Sequence, residues 1–305
     1  MAADRPARLA ILGLSLFVLH AALTAALDPI PPIHNGYSVP SYLLGNVAAL
    51  LVAWAVFRGS TDGVAARADA IGRPATRALM ALGVAAAVGL ALALREIDPE
   101  LYREFGREEG VFEPLTLLAY AGSAGLLWSA GGRWGGAERK PWRMAALAFV
   151  FLSLEEIDYF GIFGGMIGRI DGEYAGSLHD LIRLWALGLV GPVANALLAG
   201  VALAGVALLW RAGYLKPGWV VGLARRPEAA WAAAGAAFLA AAASEEARLF
   251  GWDAAYPALE EALEMGGGLS LAAWSVESAA RLARDAAGGA PLRARGTPGG
   301  PAATP

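Results

Sequence analysis

Two carboxylates, Glu155 and Glu156, close the apolar run LAFVFLSL, and Asp158 follows them. Further along, Asp171, Glu173, His179 and Asp180 occupy the polar segment before the next apolar run. Carboxylates beside an imidazole can hold a hard cation through oxygen, act as general acid and base, or relay protons. Helical geometry sorts which of them can cooperate. Glu155 and Asp158 share a face, whereas Glu156 is turned by about 100 degrees and joins Phe160. Other acids repeat the placement at the edge of an apolar run: Glu96 and Asp98 beside Arg95, then Glu245 and Glu246, then Glu260, Glu261 and Glu264. Glu260 and Glu264 again share a face. Like charges stacked this way repel, so they require a cation, shared protons or an arginine, and Arg95, Arg183 and Arg248 are at hand.

The chain has three histidines and no cysteine. The missing thiols exclude disulfides, thiolate catalysis and Cys-ligated zinc or iron-sulfur centres. His20 lies inside the first apolar run and His34 just beyond it, each isolated; His179 alone sits among acids. Two roles stay open for His179, a site residue or a local structural hydrogen bond. The candidate catalytic residues are therefore Glu155, Glu156 and His179. The candidate metal ligands are Glu155, Asp158, His179, Glu245, Glu260 and Glu264, a set whose oxygens suit calcium or magnesium.

These residues need elements to position them, and composition says which kind. With 57% hydrophobic and 17% charged residues and a mean hydropathy of +0.50, the chain reads as an all-α integral membrane protein, a polytopic helical bundle. A pI near 5.7 and only two lysines, Lys140 and Lys216, give no nucleic-acid footprint. Eight apolar spans are expected. The first is Leu9 to Leu27; Arg5 and Arg8 before it also fit a signal peptide cut after Ala25 or Ala26, but its length suits a span. The others are Tyr42 to Phe57, Thr76 to Leu94, a fourth centred on Leu115 to Trp128, a fifth opened by Pro141, Leu181 to Trp210, Ala229 to Ala243, and an eighth from about Tyr256 through Leu282.

Details within the spans carry further expectations. Ala81, Ala85, Gly89 and Ala93 make one face of the third span nearly flat, so a neighbouring helix could approach there. Pro192 should kink the sixth span, with Asn195 available to bond across. Three consecutive glycines, Gly266 to Gly268, would weaken or interrupt the eighth. Residues 1–286 form one membrane domain and 287–305, rich in Gly, Pro, Ala and Arg, a disordered tail.

Charge fixes the expected sidedness. Placing the N-terminus, alternate turns and the C-terminus on one side collects 18 of the 24 basic residues there and leaves 20 of the 27 acidic ones opposite. That gives +11 against −14, summing to the −3 of the chain. By the positive-inside rule the basic side is cytoplasmic and both termini lie there. Every acidic cluster then falls at an outer helix end. At 1.5 Å per residue Glu155 is about 20 Å beyond Trp142, hence roughly 10 Å below the outer edge of the hydrocarbon, where an ionised group must face a cavity or a partner.

The stretch Ser153 to Asp180 resembles a recurring pattern in a group of bacterial polytopic membrane proteins. In that group a helix ends E-E-I-S-W-G-Q and a later segment reads approximately N-x-Q-x-E-x-N-L-H-N. Glu155, Glu156 and Ile157 match the first motif, with Asp158 and Tyr159 in the serine and tryptophan positions. In the second, Asp171 and Asp180 replace asparagines, Glu173 replaces glutamine, Ser177 replaces asparagine, Ala175 stands in the position of an acid, and Leu178 and His179 match. The resemblance implies a multi-pass protein of the bacterial inner (plasma) membrane and brings no activity with it. The exchange of amides for acids makes this version more anionic, which favours a cation.

Three functions remain open from sequence. One is an outward-facing site that binds a divalent cation or acts on a lipid-type substrate. The three-histidine zinc chemistry of hydrolases related to alkaline ceramidases does not suit it, since two of the three histidines are badly placed. The second is a cation- or proton-coupled transporter, for which Asn46, Asn195 and Glu277 are the main inner polar residues. The third is a non-catalytic assembly or docking protein. The expected partners are the bilayer and a lipid or cation ligand.

Overall fold

The computed structural model describes residues 12–13, 15–16, 18–19, 47–49, 51–52, 61–106, 111–155, 169–170, 173–174, 192–246 and 257–288. The fold is all-α. Its main helices are α1 (Ala68–Ile71), α2 (Pro74–Ile97), α3 (Pro99–Phe105), α4 (Phe112–Trp134), α5 (Arg139–Glu155), α6 (Pro192–Arg211), α7 (Pro217–Ala224), α8 (Ala229–Glu246) and α9 (Pro257–Ala287). A two-residue antiparallel ladder, Arg169–Ile170 with Glu173–Tyr174, is the only extended pairing among the described residues.

Proline punctuates the chain. Pro74, Pro99, Pro217 and Pro257 each open a helix, where the fixed φ suits the first turn and the missing N–H removes no bond. Pro99 also ends α2, because the residue before a proline avoids helical geometry: Asp98 stands at φ −145° and ψ 87°. From there its carboxylate accepts from the Leu101 N–H at 3.0 Å and caps α3. Pro141 lies in the first turn of α5, two residues after that helix begins. Helix α6 is described only from Pro192 onward, so the kink expected there, and the side chain of Asn195, lie outside the described residues.

Helix α9 is the axis of the fold, flanked by α2, α4 and α8, with α5 packed against α4. Its direction relative to each neighbour follows from residues at matching levels. Phe112 and Leu115 of α4 share one buried cluster with Met265, Thr116 lies at Gly268, and Ala130 shares a second cluster with Ala279 and Ala283, so α4 and α9 are parallel. Gly235 of α8 lies at Leu271 and Phe238 at Gly266, so α8 runs antiparallel. The same holds for α5, where Phe149 stacks on Trp274 with centroids 6.2 Å apart and Trp142, earlier in α5, lies under the Arg281 guanidinium further along α9. It holds too for α2, whose Arg77 reaches Glu277 while Ala91 packs in the cluster of Met265.

The glycine triplet does not interrupt α9, which runs unbroken through it. A Cβ on Gly266 would stand 2.8 Å from Val88 Cγ2 of α2 and 3.1 Å from the Phe238 ring of α8. One on Gly267 would stand 2.9 Å from Leu239. One on Gly268 would meet Thr116 Cγ2 and Ala119 Cβ of α4 at 3.3 and 3.4 Å. Each glycine thus receives a different neighbour. Missing side-chain bulk lets the axis touch three helices within one turn, which offsets its poor helix propensity.

The flat face of α2 also reads differently. Ala81, Ala85, Gly89 and Ala93 are exposed, and nothing stands within 4 Å of a Cβ on Gly89. The packed face carries Val88 and Ala91, with Ala87 and Leu94 alongside. Packing against the glycine triplet needs side chains that fill its gap, so Val88 faces inward and the small residues face away.

Polarity runs from inside to outside in an uncommon sense. Leu79, Leu90 and Ile97 of α2 are 69%, 71% and 78% exposed and Leu203 of α6 is 71% exposed, while Glu228, Glu277, Ser270, Ser275 and Ser278 are buried. Most buried hydroxyls turn back on their own helix: Thr116, Ser123, Ser153, Ser270 and Ser275 each donate to the carbonyl four residues earlier at 2.7–3.0 Å. Helix α2 is long and apolar enough to cross a membrane, with 11% of its most apolar stretch buried.

Candidate functional site

The alternation of helix directions sends the acids to one pole. There α2 ends with Glu96 before Asp98, α5 ends at Glu155, α8 ends with Glu245 and Glu246, and α4 and α9 begin with Glu113 and Glu260 in their first turns. Negative charge in a first turn is favoured by the unpaired N–H groups there. Glu113 is buried, and Glu260, Glu261 and Glu264 are half-buried beside the buried Ala258 and Ala262.

Of the six expected ligands, Glu260 and Glu264 have described side chains and lie on α9 at this pole. For Glu155 and Glu245 the backbone places the helix end at the same pole, and their side chains lie outside the described residues. Glu156, Asp158 and His179 lie outside them altogether, as do Asp171 and Asp180. Among the described residues no three His, Asp or Glu side chains are grouped so as to hold a metal.

A residue that the charge pattern does not reveal completes this pole. Tyr102 of α3 is fully buried, its ring 6.2 Å from that of Phe112, and its hydroxyl has no hydrogen-bond partner. Burial pushes the phenol up to about 12, and the positive charge of Arg95 opposes part of that rise. The local signal was available in sequence, since Asp98-Pro99 caps a helix and Tyr102 and Phe105 fall on one of its faces. Gly106 then lets the chain close on α9, where an added Cβ would collide with Ala258 at 2.2 Å.

The opposite pole is basic and more elaborately paired. Arg77 donates from Nε to Glu277, whose side chain is almost wholly buried. One turn on, Arg281 donates from Nε to Glu228 at 2.6 Å and from Nη1 to Asp285 at 3.1 Å. Glu277, Arg281 and Asp285 recur every four residues, a ladder legible in sequence, but their partners Arg77 and Glu228 come from distant helices. Arg226 stands 3.8 Å from Glu138, and Arg284 donates to the Ala68 carbonyl. Trp142, fully buried, meets Trp219 of α7 edge-on at 5.1 Å, with the Arg281 guanidinium 5.6 Å from its ring centre. Burial holds Arg226 below the ordinary arginine range, and Arg281 adds to that effect while the nearby carboxylates oppose it.

No family model, no curated protein and no solved structure matches the chain.

Proposed function

We propose that the chain is a multi-pass protein of the bacterial plasma membrane, with about eight spans and both termini cytoplasmic, whose acidic pole is an outward-facing carboxylate site for a divalent cation. The observation that carries the reading is the segregation of charge by helix direction. The ends of α2, α5 and α8 and the starts of α4 and α9 supply Glu96, Glu155, Glu245, Glu113 and Glu260 at one pole, and Arg77, Arg133, Arg139, Arg226 and Arg281 stand at the other. The exposed leucines of α2 and α6 around a core holding Glu228 and Glu277 support a lipid environment, since in lipid the polar side chains belong inside. The charge-based topology expected from the sequence puts Glu156, Asp158 and His179 on the outer side as well; they lie outside the described residues. In this reading calcium or magnesium relieves the repulsion among the carboxylates, and Glu155, Glu156 and His179 are the groups for acid-base work on a lipid-type ligand.

The test is the melting of purified protein in detergent, with calcium, magnesium or chelator at constant ionic strength. A cation bound only by the folded state must raise the melting temperature, and Glu155→Gln and Glu264→Gln should reduce that increment more than Glu109→Gln. If neither cation alters melting and both variants behave as wild type, the site does not exist.

A further inference from the structure

Helix α7 carries apolar side chains on two faces. Trp219 and Leu223 turn onto the core cluster, where Trp219 meets Trp142 edge-on. Val220 and Val221 turn outward and are 58% and 52% exposed. With Pro217 and Ala224, also exposed, they follow the i, i+3, i+4, i+7 spacing of a single helix face. Lys216 stands four residues before Val220 and Arg225 four after Val221, so each end of this apolar stripe carries a cation.

The corner that leads into α7 is firmly held. Gly213 takes φ +77°, which favours glycine, and turns the chain out of α6. The Tyr214 N–H donates to the Leu209 carbonyl at 2.9 Å. Lys140 of α5 donates to the Ala212 carbonyl at 2.9 Å and lies 5.7 Å from the centre of the Tyr214 ring. These contacts pin α7 beside the end of α6, where Leu208 and Trp210 are exposed. Arg211, Lys216 and Arg225 are exposed as well and form no ion pair among the described residues, whereas Glu138 and Glu228 lie against Arg226 and Arg281.

With eight residues, α7 is about 12 Å long and far too short to cross a hydrocarbon core. An apolar stripe capped by free cations, a few residues after an exposed tryptophan, has the chemistry of a helix lying in the headgroup layer. Its apolar side chains dip into the acyl boundary while its cations stay among the phosphates. We infer that α7 is an interfacial helix seated in the cytoplasmic leaflet, with Val220 and Val221 at the acyl boundary and Arg211, Lys216 and Arg225 gathering anionic headgroups. This rests on the membrane reading above and gives the basic pole its partner, the charged surface of the bilayer.

Val220→Cys and Leu90→Cys, in a chain with no cysteine of its own, each carry a fluorophore in vesicles of phosphatidylcholine and phosphatidylglycerol. Nitroxide on the lipid quenches a probe in the bilayer, and iodide quenches one in water. At Val220 the lipid should quench and iodide should not, and Val221→Cys should repeat the result. Nitroxide on phosphatidylglycerol should quench about twofold more than on phosphatidylcholine at equal mole fraction, and the triple variant Arg211→Gln, Lys216→Gln, Arg225→Gln should abolish that excess. Iodide quenching at both valine positions would overturn the inference. Shielding from both quenchers would mean that a second copy or another protein covers α7, and would overturn it equally. Equal quenching by the two lipids would overturn the preference for anionic headgroups. Leu90, 71% exposed on α2, tests the membrane reading separately: no lipid quenching there overturns that reading, whereas lipid quenching at Leu90 with iodide access at Val220 overturns the seat of α7 alone.

Discussion

Arg77, in the first turn of α2, donates to Glu277 near the end of α9, two hundred residues away in sequence. The carboxylate is nearly inaccessible, whereas a third of the arginine side chain remains exposed. The two halves of the pair are therefore unequal. Arg77→Ala leaves a buried charge without its partner and should lower stability by about 3 kcal/mol. Glu277→Leu removes the buried charge and leaves an arginine that can reach water, so it should cost less. Unfolding of both single variants and the double checks the asymmetry; equal losses would mean that the ion pair does not hold the two helices.

The glycine triplet predicts a graded series. Gly266→Val and Gly267→Val place side chains where Val88, Phe238 and Leu239 already stand, and overpacking of this kind costs about 1–3 kcal/mol. Gly268→Ala meets Thr116 and Ala119 at looser distances and should be the mildest change of the three. Gly89→Ala, with open space around it, should be neutral or stabilising. Thermal melting of the four variants measures the order directly.

Tyr102 gives an alkaline signature. Its phenol is held above the ordinary value, to about 12, so between roughly pH 10 and 12 the unfolded chain releases a proton that the folded one keeps. Stability contributed by the neutral phenol is complete below pH 10 and falls as pH rises through that window. Tyr102→Phe should flatten the fall. Melting temperatures at pH 9 and pH 11.5 for both proteins test this, and parallel declines would refute it.

Sidedness can be read by labelling, since the chain has no cysteine of its own. Cysteines introduced at Arg139 and Lys216 should react only from the cytoplasmic side, and those at Glu100 and Arg103 only from outside. Labelling of the Arg139 position from outside alone would reverse the proposed orientation.

Helix positions were legible because proline and charge mark ends. Pro74, Asp98-Pro99 and Pro257 delimit helices close to expected spans, whereas the short helix opened by Pro217 lies between two of them and was not expected. Helix faces were not legible. In a soluble protein a hydrophobic stripe marks the buried side, but α2 is apolar all round, so the flat stripe of Ala81, Ala85, Gly89 and Ala93 looked like a contact surface and is exposed. The opposite error applies to Gly266 to Gly268. Propensity alone treats three glycines as a break, and only the neighbours Val88, Phe238, Leu239 and Thr116 explain why the helix continues. At the candidate site, Glu155, Glu245, Glu260 and Glu264 share a pole because helix direction is encoded locally. Tyr102 escaped notice because a buried phenol looks, in sequence, like any aromatic in an amphipathic turn. Glu156, Asp158 and His179 lie outside the described residues.

The axial position of α9 bears on how the protein is made. A ribosome emits the chain from its N-terminus, so the helix against which α2, α4 and α8 all pack is the last of the described helices to emerge. Until then Arg77 has no Glu277, and Val88, Thr116 and Phe238 have no glycine surface to close upon. The earlier helices must wait with their inner faces uncovered, exposed to wrong partners for the time needed to synthesise the rest. Loss of the C-terminal region therefore does not trim the molecule at its edge but removes its centre, and a premature stop before Pro257 should leave the earlier helices with no fold to share.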